Sequence, residues 1–463
     1  MNYKHDVVLR LIKILNVVLI LIPFLVCWNM SYSRNLWVSP FYAKGNYVVA
    51  FLFLVLYYML GRTYDAFLVS HNPISEMVYS QSLAAFFSDG IMWFVICLLS
   101  RRLVSLWPLC ACFAGQIVLS FIWSKLSSAW YFHSFHPKRT VIIYDTREGM
   151  ENLISKYGYE KKFEVIGSAS VQECIENDLS IIDNTVDTIF LCGVHSHDRN
   201  VILKKCIAED IDVYLLPRIG DVIMSGAKPM HMFHLPVLRV NRYSPLFEYL
   251  FLKRFFDIVL SLIAIVILSP FMIVTALAIK SDGGPALYKQ VRLTKDRKEF
   301  NVLKFRSMRI DAEKDGVARL SSGDDDPRIT KVGKIIRKIR FDELPQLFNI
   351  LLGDMSIVGP RPERPEIAEQ YEKEMPEFAL RLQAKAGLTG YAQVYGKYNT
   401  TPYDKLQMDL MYIAHPSLME DLRICFATVK ILFMSDSTEG VAAGQTTAML
   451  NVDEVKAQMD KGK

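Results

Sequence analysis

The sequence predicts a membrane protein of mixed class: an N-terminal four-helix transmembrane bundle, a parallel α/β domain, and a mainly helical α/β core behind a further apolar helix. Three observations carry this reading. Four apolar segments open the chain, at about 7–28, 46–60, 84–100 and 103–124. Residues 138–236 then alternate short apolar runs with helical stretches. Residues 258–279 hold no charge and lead into a region rich in arginine, lysine and paired carboxylates. A chain of 463 residues accommodates two or three domains. Its 51% hydrophobic and 22% charged composition suits apolar segments joined to globular parts.

Within the expected bundle, residues 1–130, the first and last segments approach the length that crosses about 30 Å of hydrocarbon. The second is short, and Asp89 interrupts the third. The first lacks a small-residue cleavage site and so reads as a retained anchor. An even number of crossings leaves both ends of the bundle on one side. Lys125, Lys138 and Arg139 after the fourth segment tip that side towards the cytoplasm. Eight cysteines occur without CxxC or Cys/His spacing, so buried thiols are expected in place of zinc or disulfides.

In the second domain, 138–236, TVIIY (140–144), FEVIG (163–167), VDTIFLCG (186–193) and DVYLLP (212–217) read as buried strands. Helices near 148–157 and 198–209 separate them, and such alternation specifies βαβ units in a parallel sheet. The first strand runs into Asp145-Thr146-Arg147-Glu148-Gly149. It lacks the early glycines that admit a pyrophosphate, so dinucleotide binding is not expected.

The uncharged segment 258–279 is long enough to span a bilayer, but Ser269-Pro270 lies at its middle. Proline removes a helix hydrogen bond and crowds the preceding turn, so a kink or break is expected there. The serine hydroxyl is placed to satisfy a freed backbone group. A sharp bend would return the chain to the leaflet it entered.

Beyond this segment, residues 280–340 carry seventeen Lys and Arg against nine Asp and Glu, a bias suited to anionic headgroups and phosphorylated substrates. Interleaved aromatics and binding motifs are missing, which argues against nucleic acid as a partner. Asp342 and Glu343 then sit side by side in RFDELPQLFNILLGDMSIVGPRP, between Arg340 and Arg361. An isolated Asp-Glu pair ahead of Leu-Pro commonly marks a helix start. Surrounded by cations, the same pair suits phosphate chemistry, with Asp342 as nucleophile and Glu343 handling a proton or orienting a neighbour. Lys304 and Arg306 in KFRSM, with Arg292, Arg328, Arg340 and Arg361, are candidate phosphate contacts, arginine offering a planar fork for two oxygens. Arg361 stands out because Pro360 and Pro362 restrain the backbone that aims it. Gly353-Asp354 and residues 387–390 read as turns around the site.

Residues 253–433 resemble the bacterial sugar transferase family, the polyprenyl-phosphate hexose-1-phosphate transferases or monotopic phosphoglycosyl transferases. The matching pieces, in order, are KRFFDIVLSLIAIVILSPFMIVTALAI, LYKQVR, FNVLKFRSM, DPRITKVGKIIRK, DELPQLFNILLGDMSIVGPRP, GLTGYAQVYG and YDKLQMDLMYI. Thr294 replaces a frequent Gly and Ala386 a frequent Pro, departures that touch loop geometry and not the chemistry. The resemblance implies a re-entrant helix broken at Ser269-Pro270 and a catalytic domain over 251–436, followed by a tail at 437–463. Ahead of them it implies a Rossmann-like domain with a regulatory or dimerising role. It further implies that Asp342 attacks the β-phosphate of a UDP-sugar, releasing UMP, and that undecaprenyl phosphate then takes the phospho-sugar. Glu343 would deprotonate the lipid phosphate, or position Asp342 or the metal. Mg²⁺ is the expected cofactor, with Asp342 as its protein ligand. The implied location is the bacterial inner membrane, multi-pass, with the catalytic domain facing the cytoplasm, in capsule, exopolysaccharide or O-antigen synthesis. A homodimer through the bundle or the α/β domain fits this organisation, though no residue specifies it.

Two other readings compete. Asp324-Asp325-Asp326 satisfies the DxD spacing with which many nucleotide-sugar glycosyltransferases hold a metal, and that chemistry would release UDP. Its place before Pro327-Arg328 in a Ser/Gly-rich loop is more commonly a solvated turn. A non-catalytic assembly scaffold would leave the acid pair and the cations around it without a shared purpose.

Overall fold

The computed structural model describes residues 3–37, 40–41, 44–145, 149–183, 185–281, 283–309, 328–396 and 400–432. The chain divides into two compact units between Leu216 and Pro217.

The first unit opens with four helices: α1 (Tyr3–Cys27), α2 (Lys44–Thr63), α3 (Ile74–Ser100) and α4 (Trp107–Ser134). Each is long and apolar enough to cross a membrane. α3 starts well before the apolar run at residue 84, because its early turns bury Met77, Ser80 and Gln81 between helices. The interior of the bundle carries a polar network among buried apolar side chains such as Phe24, Phe53 and Met92. Asn16 Nδ2 donates to Gln81 Oε1 (3.1 Å), Tyr57 Oη to Asn16 Oδ1 (2.9 Å) and Gln81 Nε2 to the Ala66 carbonyl (3.0 Å). Asp89 belongs to this interior, where Gln116 Nε2 donates to it across 3.4 Å. Leu11, Phe51, Phe94 and Phe121 face outward, an arrangement suited to lipid as solvent.

An α/β domain follows: β1 (Lys138–Tyr144), α5 (Met150–Lys156), β2 (Phe163–Ser170), α6 (Val171–Glu176), β3 (Thr188–Cys192), α7 (Ser196–Ala208) and β4 (Asp212–Leu216). All pairings are parallel, in the order β2-β1-β3-β4. Val141, Ile143, Ile189 and Leu191 face one core, while Ile142, Phe190 and Cys192 face another with Ile154 and Phe163. Burial on both faces explains why the central strands β1 and β3 read as unbroken apolar runs.

The second unit starts with α8 (Ile219–Ser225) and the antiparallel pair β5 (Lys228–Met232) and β6 (Leu235–Arg239). The 34-residue helix α9 (Phe247–Lys280) and a second antiparallel pair, β7 (Leu287–Leu293) and β8 (Glu299–Phe305), come next. Short elements then wrap the site: α10 (Lys331–Lys338), α11 (Gln346–Leu352), β9 (Ser356–Val358), α12 (Pro365–Glu374), β10 (Gly387–Thr389), α13 (Tyr391–Tyr395), α14 (Pro402–Ala414) and α15 (Leu418–Leu432).

α9 is a fifth helix of membrane-crossing length and composition. Pro270 does not end it. Ser269 Oγ donates to the Val266 carbonyl (2.9 Å), the group that the missing N–H of Pro270 leaves open. One face of α9 packs on its own unit along much of its length. Ala264 and Ile265 meet Phe300, Leu347 and Ile350, while Leu268, Met272, Ala276 and Ile279 meet Phe305, Ile336 and Leu344. The opposite face exposes Val266, Ile267, Phe271, Val274 and Leu277.

Residues 387–390, expected as a turn, are mostly strand: β10 pairs in parallel with β9. Glycine is needed there for close approach. A Cβ on Gly359 would lie 2.2 Å from the Lys385 carbonyl oxygen, and one on Gly390 would lie 2.1 Å from that of Gly359.

Candidate active site

Asp342 and Glu343 lie on a single 3₁₀ turn, Phe341–Glu343, between α10 and α11. Arg340 enters that turn at φ +58°, a left-handed conformation unusual for a residue with a side chain. Pro345 then starts α11, so the turn is stiffened on both sides. Phe341 and Leu344 pack with Leu268 and Met272 of α9. The carboxylates are therefore carried by a turn seated beside the Ser269-Pro270 position of the apolar helix.

The two acids have different surroundings. Glu343 Oε1 accepts from Lys304 Nζ on β8 (3.0 Å) and from Arg361 Nη2 after β9 (2.9 Å). Burial opposes its ionisation, but Lys304 and Arg361 outweigh that cost and hold it well below the usual carboxylate range. No described residue hydrogen bonds to or ion-pairs with the Asp342 carboxylate. Burial first, and the charge of Glu343 second, raise its pKa, while Lys304, Arg337 and Arg361 pull the other way. Burial also lowers the pKa of Lys304, with Glu343 opposing.

Arg361 is held at several points. Its Nη1 donates to Gln393 Oε1 of α13 (3.3 Å), and its carbonyl accepts from Arg381 Nη2 (2.8 Å). Arg381 is in turn buried in an ion pair with Asp409 of α14, at 2.7 and 2.9 Å. Arg292 donates to the Pro362 carbonyl (3.0 Å) and lies 3.7 Å from Glu363, with burial lowering its pKa to about 10. Lys304, Arg361 and Arg292 thus gather around one segment. Arg306 instead donates to the Ile279 carbonyl at the end of α9 (3.1 Å) and is buried there. Arg328 lies at the Met308–Ile329 bridge, its carbonyl accepting from Arg309 N–H (2.9 Å). Asp324–Asp326 lie outside the described residues.

Four participants escape the sequence reading: Arg337, Gln393, Arg381 and Asp409. The last two are 28 positions apart. No local pattern marks such a pair, because only the tertiary fold brings its members together.

Among the described residues no cluster of three or more His, Cys, Asp or Glu side chains is suited to a metal ion. Magnesium, however, keeps much of its shell as water and phosphate oxygen and takes only one or two carboxylates. The unpartnered carboxylate of Asp342 fits such a substrate-completed site.

Two carboxylates and converging cations thus sit on a turn packed against an apolar helix of membrane-crossing length. The sequence pattern of one family, described as bacterial sugar transferase, matches residues 248–435. The chain is 43% identical over 201 residues to the exopolysaccharide production protein PSS of Rhizobium leguminosarum bv. phaseoli, covering 41% of this chain and 98% of that protein. It is 38% identical over 234 residues to the UDP-N-acetylgalactosamine-undecaprenyl-phosphate N-acetylgalactosaminephosphotransferase of Aeromonas hydrophila, 50% of this chain and 54% of that one. With the undecaprenyl-phosphate galactose phosphotransferase of Salmonella typhimurium it shares 41% identity over 200 residues, 40% and 41% of the two chains. The chain belongs to the bacterial sugar transferase family. The match spans about half the length of the Aeromonas and Salmonella relatives.

Proposed function

We propose that this protein transfers a hexose-1-phosphate from a UDP-sugar to undecaprenyl phosphate, at the cytoplasmic face of a bacterial inner membrane, as the first membrane step of a surface polysaccharide. The observation that carries this reading is the contrast within the acid pair. Glu343 is neutralised by two cations, whereas its neighbour Asp342 keeps its oxygens unpartnered. The names of the Aeromonas and Salmonella relatives support the donor and acceptor classes, and they differ in the sugar.

Asp342 Oδ attacks the β-phosphorus, and the bond from that phosphorus to the bridging oxygen breaks. The bridging oxygen leaves with the α-phosphate as UMP, and the sugar phosphate remains on Asp342. An oxygen of undecaprenyl phosphate then attacks the same phosphorus, the Asp342 Oδ–P bond breaks, and the carboxylate is restored. Lys304, Arg361 and Arg292 stabilise charge on the phosphate oxygens. Glu343, held ionised, orients Lys304 and Arg361 and is a poor proton acceptor at neutral pH. A magnesium ion held by Asp342 and substrate oxygens would supply further charge stabilisation.

We further read α9 as a re-entrant element that stays in one leaflet. Its packed face runs along its own unit, and Ser269 satisfies the carbonyl that a bend at Pro270 would expose. That seating brings a soluble donor and a lipid acceptor to one plane.

The test supplies the purified full chain in nanodiscs with undecaprenyl phosphate, Mg²⁺ and a panel of UDP-sugars, and identifies the nucleotide released. UMP is expected, with release reduced about 10⁴-fold or more in Asp342→Asn. UDP would replace this reading with glycosyl transfer and direct attention to Asp324–Asp326.

A further inference from the structure

α10 precedes the acid pair and has two unlike faces. Val332 and Ile336 pack inward with Met272 and Ile279 of α9. Outward, Ile335 and Ile339 are 65% and 51% exposed, one helical turn apart. Lys331, Lys334 and Lys338 are exposed around them. Beyond the acid turn, Phe348 and Leu352 of α11 are exposed as well. Large apolar side chains therefore bracket the carboxylates on helices that both pack against α9.

Two isoleucines ringed by three lysines on a short helix make a poor surface for bulk water. A neutral protein partner would also leave the lysines unmatched. The pattern of an apolar stripe with flanking cations is that of a helix lying in a membrane interface, stem apolar and charge at the headgroups. Packing of Val332 and Ile336 on Met272 and Ile279 holds α10 directly against the apolar helix α9. We infer that α10 docks on anionic phospholipid headgroups, with Ile335 and Ile339 inserted below them and Lys331, Lys334 and Lys338 paired to their phosphates. The occupant is the anionic bilayer surface itself, distinct from the lipid phosphate that reacts. Each lysine near such a surface contributes about fivefold in local affinity, so three of them make the contact sensitive to lipid charge. The inference rests on the membrane seating of α9 and not on the transfer chemistry.

The test measures amide hydrogen exchange of the full chain in nanodiscs of phosphatidylcholine alone and with about one third phosphatidylglycerol. Exchange over 331–339 is expected to slow several-fold with phosphatidylglycerol, and to return towards the neutral-lipid rate at high salt. In a Lys331→Gln/Lys334→Gln/Lys338→Gln variant the dependence on lipid charge should disappear, while protection over 258–279 is unchanged. Ile335→Ser/Ile339→Ser should raise exchange in both compositions. Equal exchange over 331–339 in the two lipids, or slowing that persists in the lysine variant, would overturn the inference. Loss of protection over 258–279 in every lipid would instead overturn the seating of α9. Neither result depends on turnover, so failure of the proposed reaction remains a separate finding.

Discussion

Adjacent carboxylates normally share a fate, and here they do not. In the proposed reaction Asp342 must be ionised to attack phosphorus, and its pKa is raised by burial and by Glu343. The acidic limb of kcat/KM, which reports the free enzyme, should therefore lie above the ordinary aspartate value of 3.8. Lys304 must stay protonated, and burial lowers its pKa, so the basic limb should fall below the ordinary lysine value of 10.5. A pH profile flat across both regions would contradict these assignments. Glu343→Gln removes the charge that Lys304 and Arg361 share, and a loss of about a hundredfold in kcat is expected. The two departures from the family pattern also explain each other. Thr294 Oγ1 accepts from Ala386 N–H (3.1 Å) and donates to the Asp354 carbonyl (3.0 Å). A proline at 386 would have no N–H to satisfy, and a glycine at 294 no hydroxyl to offer. Thr294→Gly should thus destabilise by about 1–3 kcal/mol, and adding Ala386→Pro should recover part of that loss in a thermal double-mutant cycle.

α9 grips the pieces that carry the site. Arg254 caps α11 bidentately, donating to the Ile350 (2.6 Å) and Leu351 (2.8 Å) carbonyls. Asp257 Oδ1 accepts from Ile357 N–H of β9 (2.9 Å), in the segment leading to Arg361. α11 follows Glu343 directly, so both arms of the ion-pair cluster are tied to one helix. Arg254→Ala should lower kcat about tenfold with little change in KM, and Arg254→Lys, which lacks the fork, should rescue it only partly. These ties are invisible in the sequence, where Arg254 and Asp257 simply precede the uncharged run 258–279. The strands at 140–144 and 186–193 were legible because burial on both faces leaves few polar interruptions. The start of α3 and the end of α4 were less so. Buried serines, Gln81 and Gln116 line the bundle, and a hydropathy window counts them against a membrane helix although they face other helices. Residues 387–390 misled for a related reason, since glycine signals both turns and tight backbone contact.

For the whole molecule, the reading of α9 as re-entrant has a direct consequence for topology. Single cysteines placed at Lys253 and Lys280, in a background cleared of reactive thiols, should label from the same side of sealed vesicles. Labelling from opposite sides would make α9 a crossing helix. That Lys304 and Arg361 accompany the acid pair was expected from residue type and from the family resemblance, and both meet Glu343. The buried pair Arg381–Asp409, which fixes the carbonyl of Arg361, required the fold.

The apolar helix is also a wall of the core beneath the acid turn. Leu268, Met272, Ala276 and Ile279 fill the space between Phe305, Ile336 and Leu344. A fragment trimmed to begin after Lys280, in the hope of a water-soluble enzyme for crystals or inhibitor screening, would lose that wall and bare the underside of the acid turn. Solubility would have to be engineered on the outward face of α9, at positions such as Ile267, Phe271 and Val274, with its inward residues left in place.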